Sequence, residues 1–140
     1  MYRALQVNVA KNVEIVTAGE DLTRGMAVVY DPATKSVAKT GAGDLCLLDV
    51  TPKYEGINAV ITPNDSAWEE VKAGELVLKI TLYTGEHYAT NQIDAAGLTA
   101  GDKLVAQDGK LVKGDAGAKF AYVGTYADPT FGDMHEIYVL

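Results

Sequence analysis

The chain has 140 residues, with twelve Lys and Arg against nineteen Asp and Glu for a net charge of −7. One domain is expected at this length, enough to bury roughly two-thirds of the unfolded surface. A 48% apolar share with 22% charged residues excludes a globally disordered chain, and the acidic balance argues against nucleic acid or an anionic membrane as the main partner.

In chain order, Leu5, Val7 and Val9 alternate with Gln6 and Asn8, the two-residue period of a half-buried strand. This stripe has to pair with a sheet edge, either its own or a neighbour's, and residues 1–9 are expected to reach an adjacent copy or a partner subunit. Val13 and Ile15 resume the alternation, and Met26–Tyr30 and Leu45–Val50 are short apolar runs rich in strand formers. Ala59–Ile61, Leu76–Tyr83, Phe120–Tyr126 and Ile137–Leu140 read as strands in the same way. One segment reads as helix, near residues 66–73: Ser66 as the cap, Glu69 completing a capping box, and Gly74 as the stop. Two turns are unstable alone, so Trp68 and Val71 are expected to dock it on a sheet. The predicted fold is all-β, a barrel or sandwich.

Self-similarity organises the chain further. Leu22-Thr23-Arg24-Gly25 returns as Leu98-Thr99-Ala100-Gly101, and each copy runs into an apolar strand. A turn follows in each, Asp31-Pro32-Ala33-Thr34-Lys35 or Gln107-Asp108-Gly109-Lys110, the second with the Asp-Gly pair of a type I′ hairpin. Short return strands and glycine-bearing loops lead to third strands at Leu45 and Phe120. The reading is two three-stranded meanders whose apolar faces pair to close one core. It divides the domain into an N-terminal strand or arm (1–16), a first meander (17–51), an insert with the helix and a long strand (52–96), and a second meander with a C-terminal strand (97–140).

Chemistry-bearing residues are sparse. The single cysteine, Cys46, excludes an intrachain disulfide and a multi-cysteine metal site, and its apolar run reads as buried core. Nothing at residues 1–8 resembles a secretory signal, so the expectation is a soluble protein made in a cytoplasm, which also discounts the glycosylation sequon at Asn64-Asp65-Ser66. No phosphate-binding glycine motif occurs, and Ser36 and Ser66 fall in turn and cap contexts. Asp133, His135 and a distant His87 form a conceivable but weakly spaced metal set. Asp21, Glu69, Glu70, Asp128 and Asp133 fall in turns or on the helix, where carboxylates solvate or cap. No catalytic residue, cofactor or metal is assigned. Eight tyrosines against two phenylalanines fit either a half-wet interface or ordinary strand surface.

The run from Thr17 to Asp31, with its glycine, leucine and valine spacing, resembles the opening of tailed-bacteriophage head decoration, or capsid cement, proteins. Gly97-Leu98-Thr99-Ala100-Gly101-Asp102-Lys103-Leu104, followed by Tyr122-Val123-Gly124, is similar to a later hairpin of that family. The resemblance covers Thr17–Thr51 and Gly97–Tyr126. It implies a non-enzymatic β-barrel or β-tulip module on the outer capsid surface of a virion, made in the host bacterial cytoplasm and stabilising the head lattice. The implied partner is the major capsid protein, with the chain present as a homo-oligomer or as lattice-bound copies. The matching positions are structural, so no functional residue is carried over, and the doubled unit and the insert from Ile57 to Tyr88 depart from the small trimeric members. Candidate interface residues are Tyr2, Leu5, Val7, Val9, Tyr54 and Trp68. Two readings compete: a virion fibre or carbohydrate-binding domain with an aromatic platform at Trp68, Tyr54 and Tyr88, and a small barrel enzyme using His135 with Asp133.

Overall fold

A computed structural model describes residues 1–6, 13–50, 69–129 and 132–140, with no helix among them. The first strands are β1 (Tyr2–Gln6), β2 (Val13–Ala18), β3 (Leu22–Thr23), β4 (Ala27–Asp31), β5 (Ser36–Ala38) and β6 (Asp44–Val50). They are followed by β7 (Glu70–Val71), β8 (Leu76–Ile80), β9 (His87–Thr90), β10 (Lys103–Gln107), β11 (Lys110–Lys113), β12 (Phe120–Asp128) and β13 (Gly132–Val139). Five of them close a barrel in the order β2-β5-β4-β6-β8. Six others form a sheet in the order β1-β9-β13-β12-β10-β11, and β3 pairs with β7.

The period of two explains how barrel and sheet fit together. On β4 and β6, Val28, Cys46, Leu48 and Val50 point into the barrel with Val16, Val37 and Val77. The alternate positions Ala27, Leu45 and Leu47, with Leu78 and Ile80 of β8, point outward and pack beneath the sheet. There they meet Tyr2, Tyr88, Leu104, Phe120 and Ile137. The unbroken apolar run Leu45-Cys46-Leu47-Leu48 thus serves two cores, one residue to each in turn.

The repeat is present in space. Met26 N–H donates to Thr23 O at 3.2 Å and Asp102 N–H to Thr99 O at 3.0 Å, one turn in each copy. Gly25 N–H donates to Leu48 O and Gly101 N–H to Tyr122 O, both at 2.8 Å, and the third strands return bonds to Met26 O and Asp102 O. Two expectations are corrected. The third strand pairs with the first rather than the second, giving β5-β4-β6 and β11-β10-β12 in place of simple meanders. The connections at residues 39–43 and 114–119 are long enough to carry the chain past the hairpin to its far side. The two units also do not close a single core: their facing sides share one, Ala27 and Leu47 against Leu104 and Phe120, but the first unit is completed by β2 and β8 into a barrel with a second interior of its own. The Asp108-Gly109 turn has φ of +52° and +86°, as a type I′ hairpin requires. Its tip docks on the barrel, where Ala27 N–H donates to Gly109 O at 3.0 Å.

The expected helix near residues 66–73 is not formed by its described part. Glu70–Val71 pairs with β3, Leu22 opposite Val71, and Val71 is buried at the end of the barrel. Asp21 Oδ1 accepts from Ala73 N–H at 3.0 Å, and Gly74 N–H donates to Ala18 O at 2.8 Å. Two turns of helix cannot hold themselves, so these tertiary bonds decide the conformation. Ser66, Ala67 and Trp68 lie outside the described residues, as does the expected strand Ala59–Ile61. Strand β9 was not expected: Tyr88, Ala89 and Thr90 are all buried, so it carries no apolar–polar alternation.

Barrel, sheet and chain start meet at Gly25 (φ +89°). A Cβ there would lie on the Met1 carbonyl oxygen and 2.6 Å from Thr90 Oγ1, which donates to Gly25 O at 2.8 Å. The Met1 ammonium donates to Arg24 O and Glu69 Oε2, each at 2.6 Å, and to Asn91 Oδ1 at 2.9 Å. The equivalent Gly101 (φ +95°) has no atom within 4 Å of such a Cβ. Gly101→Ala should therefore cost only the backbone strain, about 1–2 kcal/mol, whereas Gly25→Ala should cost clearly more. Denaturant melts of both variants check this, and equal losses would contradict it.

Candidate functional site

Both histidines bond side chains on neighbouring strands of the sheet. His87 and Glu136, on neighbouring strands of the sheet, share a 2.8 Å contact, and the His87 ring meets Tyr138 edge-on at 5.1 Å. His135 shares a 2.9 Å hydrogen bond with Tyr122 Oη. The structure therefore separates the three residues of the conceivable metal set, and no group of three or more metal-ligating side chains occurs among the described residues. Asp133 is exposed, and His135 is engaged by Tyr122.

The carboxylates of interest are structural. Arg3 Nε donates to Asp128 Oδ2 at 2.7 Å, and the Asp128 side chain is fully buried. Arg24 Nε donates to Asp49 Oδ1 at 2.7 Å. The Ala73 N–H, with Lys72 beside it, holds the Asp21 carboxyl below its ordinary range. The Thr99 N–H and Lys113 do the same for Asp102. Each of the two caps a turn, which is the bland role expected of carboxylates there. Glu86 is buried and its Oε1 accepts from Tyr83 N–H at 2.8 Å and Tyr88 Oη at 2.9 Å.

Of the interface candidates, Tyr2 is withdrawn. It is buried in the core between barrel and sheet, its ring 5.6 Å from that of Tyr88. Strand β1 pairs with β9 of the same chain, Tyr2 opposite Thr90, so residues 2–6 form the edge strand of the chain's own sheet. Leu5 is half-buried at that sheet edge. Val7, Val9, Tyr54 and Trp68 lie outside the described residues. Tyr88, a member of the supposed glycan platform, is fully buried and cannot stack on a sugar. The exposed apolar groups are elsewhere: Val13 and Ile15 on β2 and Leu76 on β8. Their positions were visible in the sequence as strand residues, but which face they take depends on barrel closure.

An open groove of about 570 Å³ runs between barrel and sheet, past Val29, Thr40, Val105 and Lys119. Its Asp44, Asp108 and Lys119 are exposed at the rim. The sequence matches no protein-family model, and no curated protein matches it.

Burial sets the acid–base behaviour of the core. Burial pushes the Cys46 thiol up to about 12, and its Sγ lies 3.5 Å from Val28 O inside the barrel. A thiol reagent at pH 8 should leave native Cys46 unmodified, since the thiolate is the nucleophile, and should label it fully in denaturant. Labelling of the native protein at the rate of a free thiol would contradict this.

Burial also raises the Tyr2 and Tyr88 phenols above their ordinary value, with Glu86 adding to the shift of Tyr88. A folded-state pKa above the unfolded one gives stability that is present below about pH 10 and lost as pH rises beyond it. Absorbance titration near 295 nm should therefore show Tyr2 and Tyr88 ionising only as the chain unfolds. Tyr88→Phe should flatten the alkaline fall in stability and cost about 1 kcal/mol at neutral pH. Ionisation of every tyrosine with the circular dichroism still native would contradict the assignment.

Proposed function

We propose that the chain is a non-enzymatic structural protein of a tailed-phage virion that binds the outer capsid surface and stabilises the head lattice. One observation carries the reading. The two stretches that resemble decoration proteins, Thr17–Thr51 and Gly97–Tyr126, contain the two copies of one folded unit, with matching turn hydrogen bonds at Gly25 and Gly101. The resemblance thus falls on positions that build the framework, which suits a protein whose work is to present a surface.

The use of the polar groups supports the same reading. His87, His135, Glu86 and Asp128 each bond a neighbouring side chain, which stiffens the sheet. The partner is the major capsid protein of the same virion, with no cofactor and no nucleic acid involved. Binding of the purified chain to heads built from that capsid protein, followed by co-sedimentation, tests the proposal. Saturation at a fixed number of copies per capsomer, with heads made more resistant to heat, is the expected result. Heads that leave the chain in the supernatant at every concentration would overturn it.

A further inference from the structure

The first Leu-Thr-x-Gly turn holds a group that the second copy does not. The Met1 nitrogen donates to Arg24 O and Glu69 Oε2 at 2.6 Å each, and to Asn91 Oδ1 at 2.9 Å. The acceptors come from three places: the turn between β3 and β4, the residue before β7, and the residue after β9. An α-ammonium has three N–H donors, and this cradle supplies one acceptor to each. At the equivalent turn, Ala100-Gly101, nothing lies within 4 Å of where a Gly101 Cβ would be.

The cradle leaves no donor to spare. Met1 is gripped from both ends, because its carbonyl oxygen fills the space a Gly25 Cβ would need, and Tyr2 is buried between the layers opposite Thr90. An acyl group on the nitrogen removes the charge and leaves one N–H for three acceptors. Glu69 loses most. Its Oε2 pairs with the ammonium at 2.6 Å, while its Oε1 is buried with no hydrogen-bond partner among the described residues. Acylation therefore strands a partly buried carboxylate, the costly way to break an ion pair. The other charges facing the amine are Arg24 and Asp49, which pair with each other at 2.7 Å. Burial pulls the amine below its ordinary range and Glu69 opposes this, so the two groups depend on one another.

We propose that this cradle is a modification-sensitive site, selective for an unmodified α-ammonium on Met1. A formyl or acetyl group on that nitrogen keeps Met1 out of the cradle, so that β1 docks loosely on β9 and Tyr2 loosens from the shared core. Hydrolysis of the amide adds water, releases formate or acetate, frees the amine and restores the three bonds. The edge of the six-stranded sheet is thereby closed or loosened by the chemical state of one nitrogen. This inference is independent of the capsid reading.

The formyl group, the smallest acyl group, is the probe. The full chain is prepared as the free amine and, from cells whose deformylase is inhibited, with the formyl group retained; mass spectrometry tells the two apart. The formylated chain should melt roughly 5–10 °C lower, for the loss of charged hydrogen bonds in a domain of this size, and its β1 amides should exchange hydrogen faster. Treatment with deformylase should restore both. In Glu69→Gln, which keeps the shape without the charge, the formyl group should lower the melting temperature by less than half as much. Asn91→Ala, which removes another acceptor, should also shrink the difference and carries the test if Glu69→Gln fails to fold. Equal melting of the two wild-type forms would overturn the proposal. So would a formyl effect undiminished in the folded variants, or one that persists after deformylation.

Discussion

The two-sided burial of β4, β6 and β8 is the constraint on which the rest of the structure depends. A strand in a small barrel turns alternate side chains inward, and the outward set is normally left to solvent. Here the outward set is Ala27, Leu45, Leu47, Leu78 and Ile80, which water does not accommodate. The six-stranded sheet is the cover, and it brings its own apolar face of Tyr88, Leu104, Phe120 and Ile137. Barrel and sheet are therefore not two domains joined by a linker; they are two layers that share a core.

The contacts at the margins of that core follow from it. The Asp108-Gly109 tip comes down on the barrel because β10 is part of the cover, and a side chain at residue 109 would press on Met26 Sδ at 2.9 Å. Gly25 lies where the layers and the chain start converge, and there the backbone approaches too closely for any Cβ. The two copies of the Leu-Thr-x-Gly turn share a fold and differ in surroundings. In the first, Arg24 reaches Asp49 and its carbonyl takes the Met1 ammonium, while Ala100 has no such side chain in the second. Duplicated sequence thus yields one copy that is keyed into the assembly and one that is a plain turn.

Much of this was legible in the residues. The all-β fold, the strands at Met26–Tyr30, Leu45–Val50 and Phe120–Tyr126, the repeat and the type I′ turn rest on period and turn chemistry, which are local. What was not legible is tertiary. Glu69 and Val71 satisfy the pattern of a capped helix, yet Leu22 opposite Val71 and Asp21 against Ala73 draw them into a strand and a turn. Tyr88 looked like a surface aromatic beside a turn, and Tyr2 like part of a free arm. Both rings belong to the core between the layers, because β9 is buried on both faces and β1 pairs with it. The bare face at Val13, Ile15 and Leu76 could not be told from an ordinary strand face until barrel closure had fixed which side turned outward.

The central claim is that the layers share one core and unfold as one. Differential scanning calorimetry of the intact chain tests it most directly. A single transition whose calorimetric enthalpy equals its van't Hoff enthalpy is expected, since a barrel stripped of its cover would expose Leu47, Ala27 and Ile80 to water. Two separable transitions, with barrel or sheet surviving the loss of the other, would contradict the account.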